Sequence, residues 1–341
     1  MSKYSSKKSK NQNTKNAFSG AKASKPTIFL FGFLFILVGF FGVLYNPANP
    51  GQEAVSWDVS EEGMLSFPPR GEPVFTVQEI DDVYAQDLHS SGPADSLKLL
   101  TFESKGDKIQ ALLRIPASSS PLPGIVLLPG TGVSKEKEQK LAVELSELGY
   151  ATLALDQRKS GGIPGVVNPE KDLELFRAGL EPLEYKMAYD ALKAVDVLAA
   201  QTEIDPERLA VLGESNGGRF AVLACALEPS LNGVIGISTS GYGTGEIDPS
   251  QVADPEAYRF YRSIDPDTYL SSLPPARFVL MHSFNDTVIP HELAVRTFAL
   301  AEEPKAIYNV SEAAHGYTAS MHPYLEEELA LMLKEKGAGS V

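Results

Sequence analysis

The chain has very little cysteine, and its N-terminal segment has no acidic residue. Cys225 is the only cysteine among 341 residues, so an internal disulfide and cysteine-based zinc or iron–sulfur centres are excluded. Residues 1–45 hold seven lysines and no acid. Because the whole chain has a net charge of −14, the remainder carries −21. The acidic remainder, residues 46–341, repels phosphate backbones, so nucleic acid is not expected as a partner.

Residues 28–45 form an uninterrupted apolar run, IFLFGFLFILVGFFGVLY. A helix rises ~1.5 Å per residue, so this run would span ~27 Å, about the hydrocarbon core of a bilayer. A cleavable signal peptide is the main alternative, but its apolar region usually has ~7–15 residues before a small-x-small cleavage site. The run is longer, and no clear site follows it. It predicts a single-pass anchor with a cytoplasmic N-terminus and an extracytoplasmic body.

The rest of the chain divides by composition. Residues 1–26 are rich in lysine, serine and asparagine and predict a disordered cytoplasmic tail, and 27–45 is the anchor. Residues 46–73 contain NPANPG and FPPRGEP, which predict a stalk. We expect one folded domain over 74–336 and a flexible end over 337–341.

Within that domain, short apolar strands alternate with amphipathic helices. The predicted strands are Val74–Val77, Leu97–Phe102, Ile109–Ile115, Gly124–Leu128, Ala151–Leu155, Leu209–Leu212, Gly233–Ser238, Ala276–His282 and Ala306–Val310. The predicted helices are Lys135–Leu148, Glu184–Gln201, Gly217–Leu227, His291–Ala301 and Pro323–Lys336. This alternation predicts an α/β fold with a parallel sheet covered on both faces and ligands at the carboxyl ends of the strands.

The motif G-x-S-x-G occurs as Gly213-Glu214-Ser215-Asn216-Gly217, between a predicted strand and a predicted helix. In that context the sharp turn exposes the serine hydroxyl, and the glycines allow close packing. A plain glycine-rich loop is the alternative. We predict Ser215 as a nucleophile, which needs a base within hydrogen-bonding distance and a third group to orient that base.

Five histidines compete for the role of base. Four lie before the main sheet, at the end of an apolar strand or at predicted helix starts: His89, His282, His291 and His322. His315 follows the last predicted strand, which places it at the same sheet edge as Ser215, so His315 is the predicted base. Asp286 follows the preceding strand and is the predicted acid, with a helix-capping role as its alternative. Asp265 and Asp267 fall before that strand and are weaker candidates.

A tetrahedral intermediate needs two amide donors. We predict the N–H of Asn216 as one donor and the N–H of Thr131 as the other, with Gly130 as the alternative to Thr131. The same glycine pair lacks the Lys-Ser/Thr of a P-loop, and its G-x-G-x-x-G pattern is incomplete. We therefore expect no cofactor and no metal.

These segments together resemble the α/β-hydrolase superfamily, most of all its dienelactone hydrolase and prolyl-oligopeptidase-like serine hydrolase branch. The resemblance covers about 97–336 and is carried by LLPGTG, ALDQR, GESNGG, MHSFNDTVIP and AAHGY. The chain order Ser215, Asp286, His315 is the one this superfamily uses. The resemblance implies an eight-stranded, mostly parallel sheet with an antiparallel second strand.

Two features depart from that resemblance. Pro129 stands where the family usually has a histidine before the oxyanion-loop glycine, and His282-Ser283 stands where the family usually has His-Gly. Dienelactone hydrolases proper also have a cysteine at the position of Ser215. The departures leave all three predicted triad members in place.

Two segments at the carboxyl edge are expected to shape the pocket, 160–183 and a small cap at about 241–273. The cap is rich in tyrosine and contains Tyr242, Arg259 and Arg262, which are candidate contacts for a carboxylate-bearing or aromatic acyl group. The alternative is that these residues only pack the cap on the core.

The predicted function is a membrane-anchored serine hydrolase that cleaves a small carboxylic ester through an acyl-enzyme. A small-peptide peptidase or amidase is the first alternative. Peptidases of this branch usually carry a large N-terminal propeller, and residues 46–96 are too short for one. A non-catalytic binding protein with the same fold is the second alternative, and the complete triad argues against it.

Overall fold

The computed structural model describes residues 56–84 and 95–334, and its centre is one large sheet. In chain order the strands are β1 (Asp58–Val59), β2 (Leu65–Ser66), β3 (Phe75–Glu79), β4 (Ser96–Ser104), β5 (Asp107–Ile115), β6 (Leu122–Leu128), β7 (Ala151–Leu155), β8 (Lys159–Ser160), β9 (Ile163–Pro164), β10 (Ile204–Glu214), β11 (Leu231–Ile237), β12 (Arg277–Ser283) and β13 (Lys305–Val310). The helices are α1 (Gln139–Glu147), α2 (Pro169–Arg177), α3 (Leu183–Ala199), α4 (Asn216–Leu227), α5 (Pro255–Ser263), α6 (His291–Leu300) and α7 (His322–Met332).

The large sheet has nine strands in the order β13-β12-β11-β10-β6-β7-β5-β4-β3. The six strands from β13 to β7 are parallel, whereas β5 is antiparallel to both of its neighbours. This arrangement confirms the expected mostly parallel sheet and the α/β-hydrolase fold. The sheet has nine strands instead of eight because β3 adds to its edge, antiparallel to β4.

Strands β6 and β7 are buried along their whole length because both faces of the sheet are covered. In β6, for example, Val126 and Leu128 belong to one core and Ile125 and Leu127 to the other, as expected when successive side chains point to opposite faces. Residues from α3 and α4 fill the first core, and residues from α1 and α7 fill the second. Because the six strands from β13 to β7 run parallel, their carboxyl ends lie at one edge of the sheet.

The predicted stalk over 46–73 needs correction for the part that the structure describes. Strands β1 and β2 pair as an antiparallel hairpin whose Leu65 is only 1% exposed. The N–H of Leu65 donates to the hydroxyl of Tyr269 at 3.0 Å, and the Trp57 ring stacks on Phe176 with 5.4 Å between centroids. Burial of these apolar side chains outweighs the local proline and glycine content. The folded domain thus includes the described residues 56–73, ahead of the predicted start at 74.

The two segments expected to shape the pocket pack against each other. The predicted cap, 241–273, consists of short 3-10 turns and α5, and α5 contacts α2 of the first segment. The rings of Phe176 and Phe260 lie 5.5 Å apart, and Arg177 forms an ion pair with Asp254. The cap is therefore joined to the first segment through both apolar and ionic contacts.

The predicted tail, anchor and C-terminal end, 1–26, 27–45 and 337–341, lie outside the described residues. Over 56–84 and 95–334, no helix combines the length and apolarity needed to cross a membrane.

Candidate active site

Ser215 lies at the turn between β10 and α4, in the strand–turn–helix context that the motif predicts. Its backbone has φ 50° and ψ −117°, a region that residues other than glycine rarely adopt. Its N–H donates to the carbonyl of Ile237 at 2.8 Å, which holds the strained turn on the neighbouring strand. The serine is thus presented at the N-terminus of α4, beside unpaired helix amides.

The glycines around Ser215 are required by close backbone packing. A Cβ at Gly213 would lie 2.3 Å from the carbonyl oxygen of Gly217, and a Cβ at Gly217 would lie 2.0 Å from that of Leu128. At Gly218 a Cβ would lie 2.7 Å from the Cβ of Thr239. Real Cβ atoms do not approach so closely, so these glycines let α4 pack tightly behind the serine.

The structure brings His315 and Asp286 together. Nδ1 of His315 lies 2.8 Å from Oδ2 of Asp286, although the two residues are 29 positions apart. Asp286 follows β12 and His315 follows β13, so both lie at the sheet edge where β10 ends at Ser215. The loop after His315 also contacts the nucleophile turn, because the N–H of Tyr317 donates to the Glu214 carboxylate at 3.2 Å.

Asp286 is held ionised by its hydrogen bonds. Its side chain is fully buried, and this burial opposes ionisation, but the bonds from His315 and from the N–H groups of Ile289 and Val288 lower its pKa below the ordinary value. Oδ1 accepts the amides of Val288 and Ile289 at 2.8 and 3.0 Å, which leaves Oδ2 for the imidazole. An ionised Asp286 can orient His315 and stabilise its protonated form.

His282 occupies the position expected of a structural histidine. It is fully buried, and its Nε2 lies 2.9 Å from the carbonyl of Ile289. Burial lowers the pKa of His282, so the ring is neutral at neutral pH. It lies behind the loop that carries Asp286 and helps to shape that loop.

The predicted oxyanion residues meet at one carbonyl. The hydroxyl of Thr131 and the side-chain amide of Asn216 both donate to the carbonyl oxygen of Gly165, at 3.1 and 2.9 Å. A Cβ on Gly130 would lie 3.5 Å from the Cβ of Ser215, so this loop borders the nucleophile. Within 56–84 and 95–334, the backbone N–H groups of Thr131 and Asn216 have no hydrogen-bond acceptor. Both amides are therefore free to bind an oxyanion.

Tyr242, a predicted substrate contact, is linked to this site by Arg219, which the sequence analysis did not single out. Tyr242 is 46% exposed, and Cζ of Arg219 lies 4.2 Å from the centroid of its ring. Arg219 is buried and donates to Oδ1 of Asn216 at 2.7 Å and to the Glu184 carboxylate at 2.9 Å. This chain of contacts holds Asn216 in place and leaves one side of Tyr242 open to solvent.

The two predicted arginines have other contacts. Arg262 donates through Nε to the carbonyl of Glu62 at 2.8 Å, so it fastens the N-terminal hairpin to the cap. The guanidinium of Arg259 lies over the Phe176 ring at 5.3 Å. These contacts support a packing role, and a substrate role for Arg259 and Arg262 stays a prediction.

Glu138, just before α1, is a buried carboxyl group near Glu214, and it should make the stability of the fold depend on pH. Burial, and to a smaller extent the charge of Glu214, raise the pKa of Glu138 to about 8. The carboxyl group stabilises the fold below its ordinary pKa of 4.5, and that contribution is lost as pH rises toward 8. Glu138→Gln should therefore melt a few degrees above wild type at pH 8, with the difference shrinking toward pH 5. A pH-independent difference in thermal melts would contradict this assignment.

Over the described residues, no group of three or more histidine, cysteine, aspartate or glutamate side chains has the arrangement of a metal site. The chemistry available at the site is that of a serine nucleophile, an imidazole, a carboxylate and two free amides.

Comparison with known proteins identifies the family. The model of the acetyl xylan esterase (AXE1) family matches residues 82–266, which is more than half of the chain and includes Ser215. Among curated proteins, YfhR of Escherichia coli O157:H7 is 24% identical over 242 residues, covering 69% of this chain and 77% of YfhR. MT2364 of Mycobacterium tuberculosis is 29% identical over 195 residues, covering 57% of this chain and 63% of that protein. Both relatives are described as uncharacterised.

Solved structures show the same fold. An acetyl xylan esterase from Paenibacillus sp. R4 aligns with a TM-score of 0.60 at 18% identity, covering 76% of this chain and 89% of that one. An acylaminoacyl peptidase from Pyrococcus horikoshii aligns with a TM-score of 0.54 at 18% identity, covering 76% of this chain but 45% of the peptidase. At these identities the likeness concerns the fold alone, which is the α/β-hydrolase fold.

The fold, the strained serine turn and the family match agree with one another. The chain belongs to the acetyl xylan esterase (AXE1) family of the α/β-hydrolase superfamily, and it is a serine hydrolase of the esterase type.

Proposed function

We propose that this serine esterase uses Ser215 as nucleophile, His315 as general base and Asp286 as the acid that orients the base. The observation that carries the proposal is the 2.8 Å hydrogen bond between His315 and Asp286 at the sheet edge where β10 delivers the strained Ser215. Such a pair activates a serine hydroxyl, which is otherwise a poor nucleophile at neutral pH.

The proposed reaction runs in two halves. Nε2 of His315 takes the proton of Ser215 as Oγ attacks the ester carbonyl, and the N–H groups of Asn216 and Thr131 bind the resulting oxyanion. The protonated imidazole then passes its proton to the departing alcohol, which leaves an acyl group on Ser215. His315 next activates a water molecule that cleaves this acyl-enzyme and releases the acid. All proton transfers use one imidazole, so no cofactor is needed.

The proposed substrate is a small molecule with a short acyl ester, of which acetyl is the first candidate. The family description supports acetyl, since the matched family is that of acetyl xylan esterases. The acidic body of the chain disfavours strongly anionic substrates. Tyr242 is 46% exposed and stacks on Arg219, which bonds Asn216, so it is the cap residue best placed to contact the substrate.

A panel of chromogenic substrates tests the function. We expect p-nitrophenyl acetate to give the highest kcat/KM, with a decrease of about tenfold or more at octanoate, and aminoacyl p-nitroanilides to be turned over far more slowly. Ser215→Ala serves as the background for every substrate. Equal or faster cleavage of the anilides would favour the peptidase and contradict an esterase with a short-acyl preference.

We also propose that residues 28–45 anchor the chain in a membrane, with the lysine-rich N-terminus in the cytoplasm and the catalytic domain outside it. The length and apolarity of the run and the seven preceding lysines support this arrangement. Full-length protein should remain in the membrane pellet after alkaline carbonate extraction, and external protease should remove the catalytic domain from intact cells. Release of the protein by carbonate, or protection of the domain from protease, would contradict the proposal.

A further inference from the structure

The two backbone amides directly after His315 are each held by a side chain from another part of the site. The N–H of Gly316 donates to Oγ of Ser238 at 2.9 Å, and the N–H of Tyr317 donates to Oε2 of Glu214 at 3.2 Å. Neither acceptor belongs to the loop that carries the histidine.

Glu214 connects this loop to the nucleophile itself. It is the last residue of β10 and the direct neighbour of Ser215, so any position it imposes on the loop is set relative to the nucleophile. The contact is close, because a Cβ on Gly316 would lie 2.7 Å from Oε2 of Glu214. Gly316 has φ 97°, which also favours glycine.

Ser238, directly after β11, provides the second point of attachment. It is fully buried, and its φ of 49° lies in the region that residues other than glycine rarely adopt. Its N–H donates to the carbonyl of Met281 at 2.9 Å, which fixes the residue between two strands. Glycine would adopt this φ without strain, so a serine here indicates a role for the hydroxyl group. The hydroxyl accepts the hydrogen bond from Gly316, and this bond is the role that we infer.

The loop that carries His315, residues 311–317, depends on such attachments for the position of the histidine. Residues 311–313 and His315 are exposed, and the hydrogen bond to Asp286 fixes only one ring nitrogen of His315. That bond leaves the distance between Nε2 and Ser215 to be set by the backbone. The hydroxyl of Tyr317 adds a contact farther along the loop, since it donates to Glu144 at 2.7 Å.

We propose that Glu214 and Ser238 are positioning residues, which hold the Gly316 and Tyr317 amides so that Nε2 of His315 is placed against Ser215. The variable position of G-x-S-x-G therefore has a defined role in this chain. The inference rests on the proposed function, in which His315 is the base. Glu214 acts through the backbone of the loop and needs no contact with substrate.

Substitution of Glu214 separates positioning from stability. Glu214→Ala removes the acceptor for Tyr317, so we expect kcat on p-nitrophenyl acetate to fall about 10- to 100-fold with KM nearly unchanged. Glu214→Gln keeps a side-chain oxygen at the same place and should retain most of the activity. Glu147→Ala, at an exposed glutamate at the end of α1, is the control and should behave as wild type. Equal losses in the Ala and Gln variants, or no loss in Ala, would overturn the proposal.

Ser238 gives an independent test in case Glu214→Ala folds poorly. Ser238→Ala and Ser238→Gly both lack the hydroxyl, but glycine relieves the strained φ. We expect both variants to lose kcat to a similar extent while the glycine variant melts at a higher temperature than the alanine variant. A glycine variant with wild-type kcat would show that the hydroxyl is not needed.

Labelling of the serine distinguishes failure of this inference from failure of the proposed function. A fluorophosphonate probe should react with wild type, and with Glu214→Ala at a rate reduced in parallel with kcat. Equal labelling rates in both proteins would overturn the positioning role alone. Absence of labelling in wild type would overturn the proposed nucleophile and base, and the inference with them.

Discussion

Asp286→Asn should lower kcat by about 10³- to 10⁴-fold without unfolding the protein. The structure explains why so small a change has so large an effect. Oδ1 of Asp286 accepts two backbone amides, from Val288 and Ile289, so the asparagine carbonyl must take that position. The asparagine NH₂ then faces Nδ1 of His315, which becomes an acceptor, and the ring proton moves to Nε2. In that tautomer the imidazole cannot take the proton of Ser215.

Steady-state kinetics with p-nitrophenyl acetate and a thermal melt measure this effect. Asp248→Asn is the matched control, because Asp248 caps a short 3-10 turn through a bond that asparagine can also make. A loss of less than about tenfold in Asp286→Asn would show that His315 does not depend on Asp286 for its tautomer.

Asp190→Ala should destabilise the domain by about 3–5 kcal/mol, the largest effect on stability that we expect from a single substitution. Asp190 is 2% exposed and binds Arg158 through two bonds, at 2.6 and 2.9 Å. Arg158 follows β7 and Asp190 lies in α3, so the pair joins the sheet to a covering helix. Loss of the carboxylate leaves the buried charge of Arg158 without its main partner. A buried charge in that state is far less favourable than either an ion pair or an apolar contact.

Urea unfolding monitored by circular dichroism measures the loss. The double variant Arg158→Met/Asp190→Leu replaces both charges with apolar side chains and should recover much of the stability, since well-packed apolar residues can substitute for a buried ion pair. A destabilisation below about 1 kcal/mol in Asp190→Ala would indicate that water reaches Arg158 and that the pair is effectively exposed.

The parallel sheet could be predicted from the sequence because its signals are local. Strands such as Ala151–Leu155 are short apolar runs between turn residues, and the predicted bounds agree with the structure at that strand. The hairpin that contains Leu65 could not be predicted in this way. Its stability depends on contacts with Tyr269 and Phe176, far along the chain, whereas its local composition resembles a linker.

The residues of the candidate site likewise fall into those predicted from local motifs and those whose roles depend on distant contacts. Ser215, Asp286 and His315 could be proposed from the sequence because each follows a recognisable strand and stands in a short motif. Arg219 directly follows GESNGG, but its role depends on Glu184, which precedes it by 35 residues. Glu214 stands in the motif at a position where any residue fits the pattern, so only the structure reveals its bond to Tyr317.

The most direct test of the account is to locate the reactive serine. Full-length protein is treated with a fluorophosphonate probe, digested and analysed by peptide mass spectrometry, with folded Ser215→Ala treated in parallel. We predict one adduct in wild type, on the peptide that contains Ser215, and none in the variant. Absence of an adduct in wild type, or an equal adduct in Ser215→Ala, would contradict the assignment of Ser215 as the nucleophile.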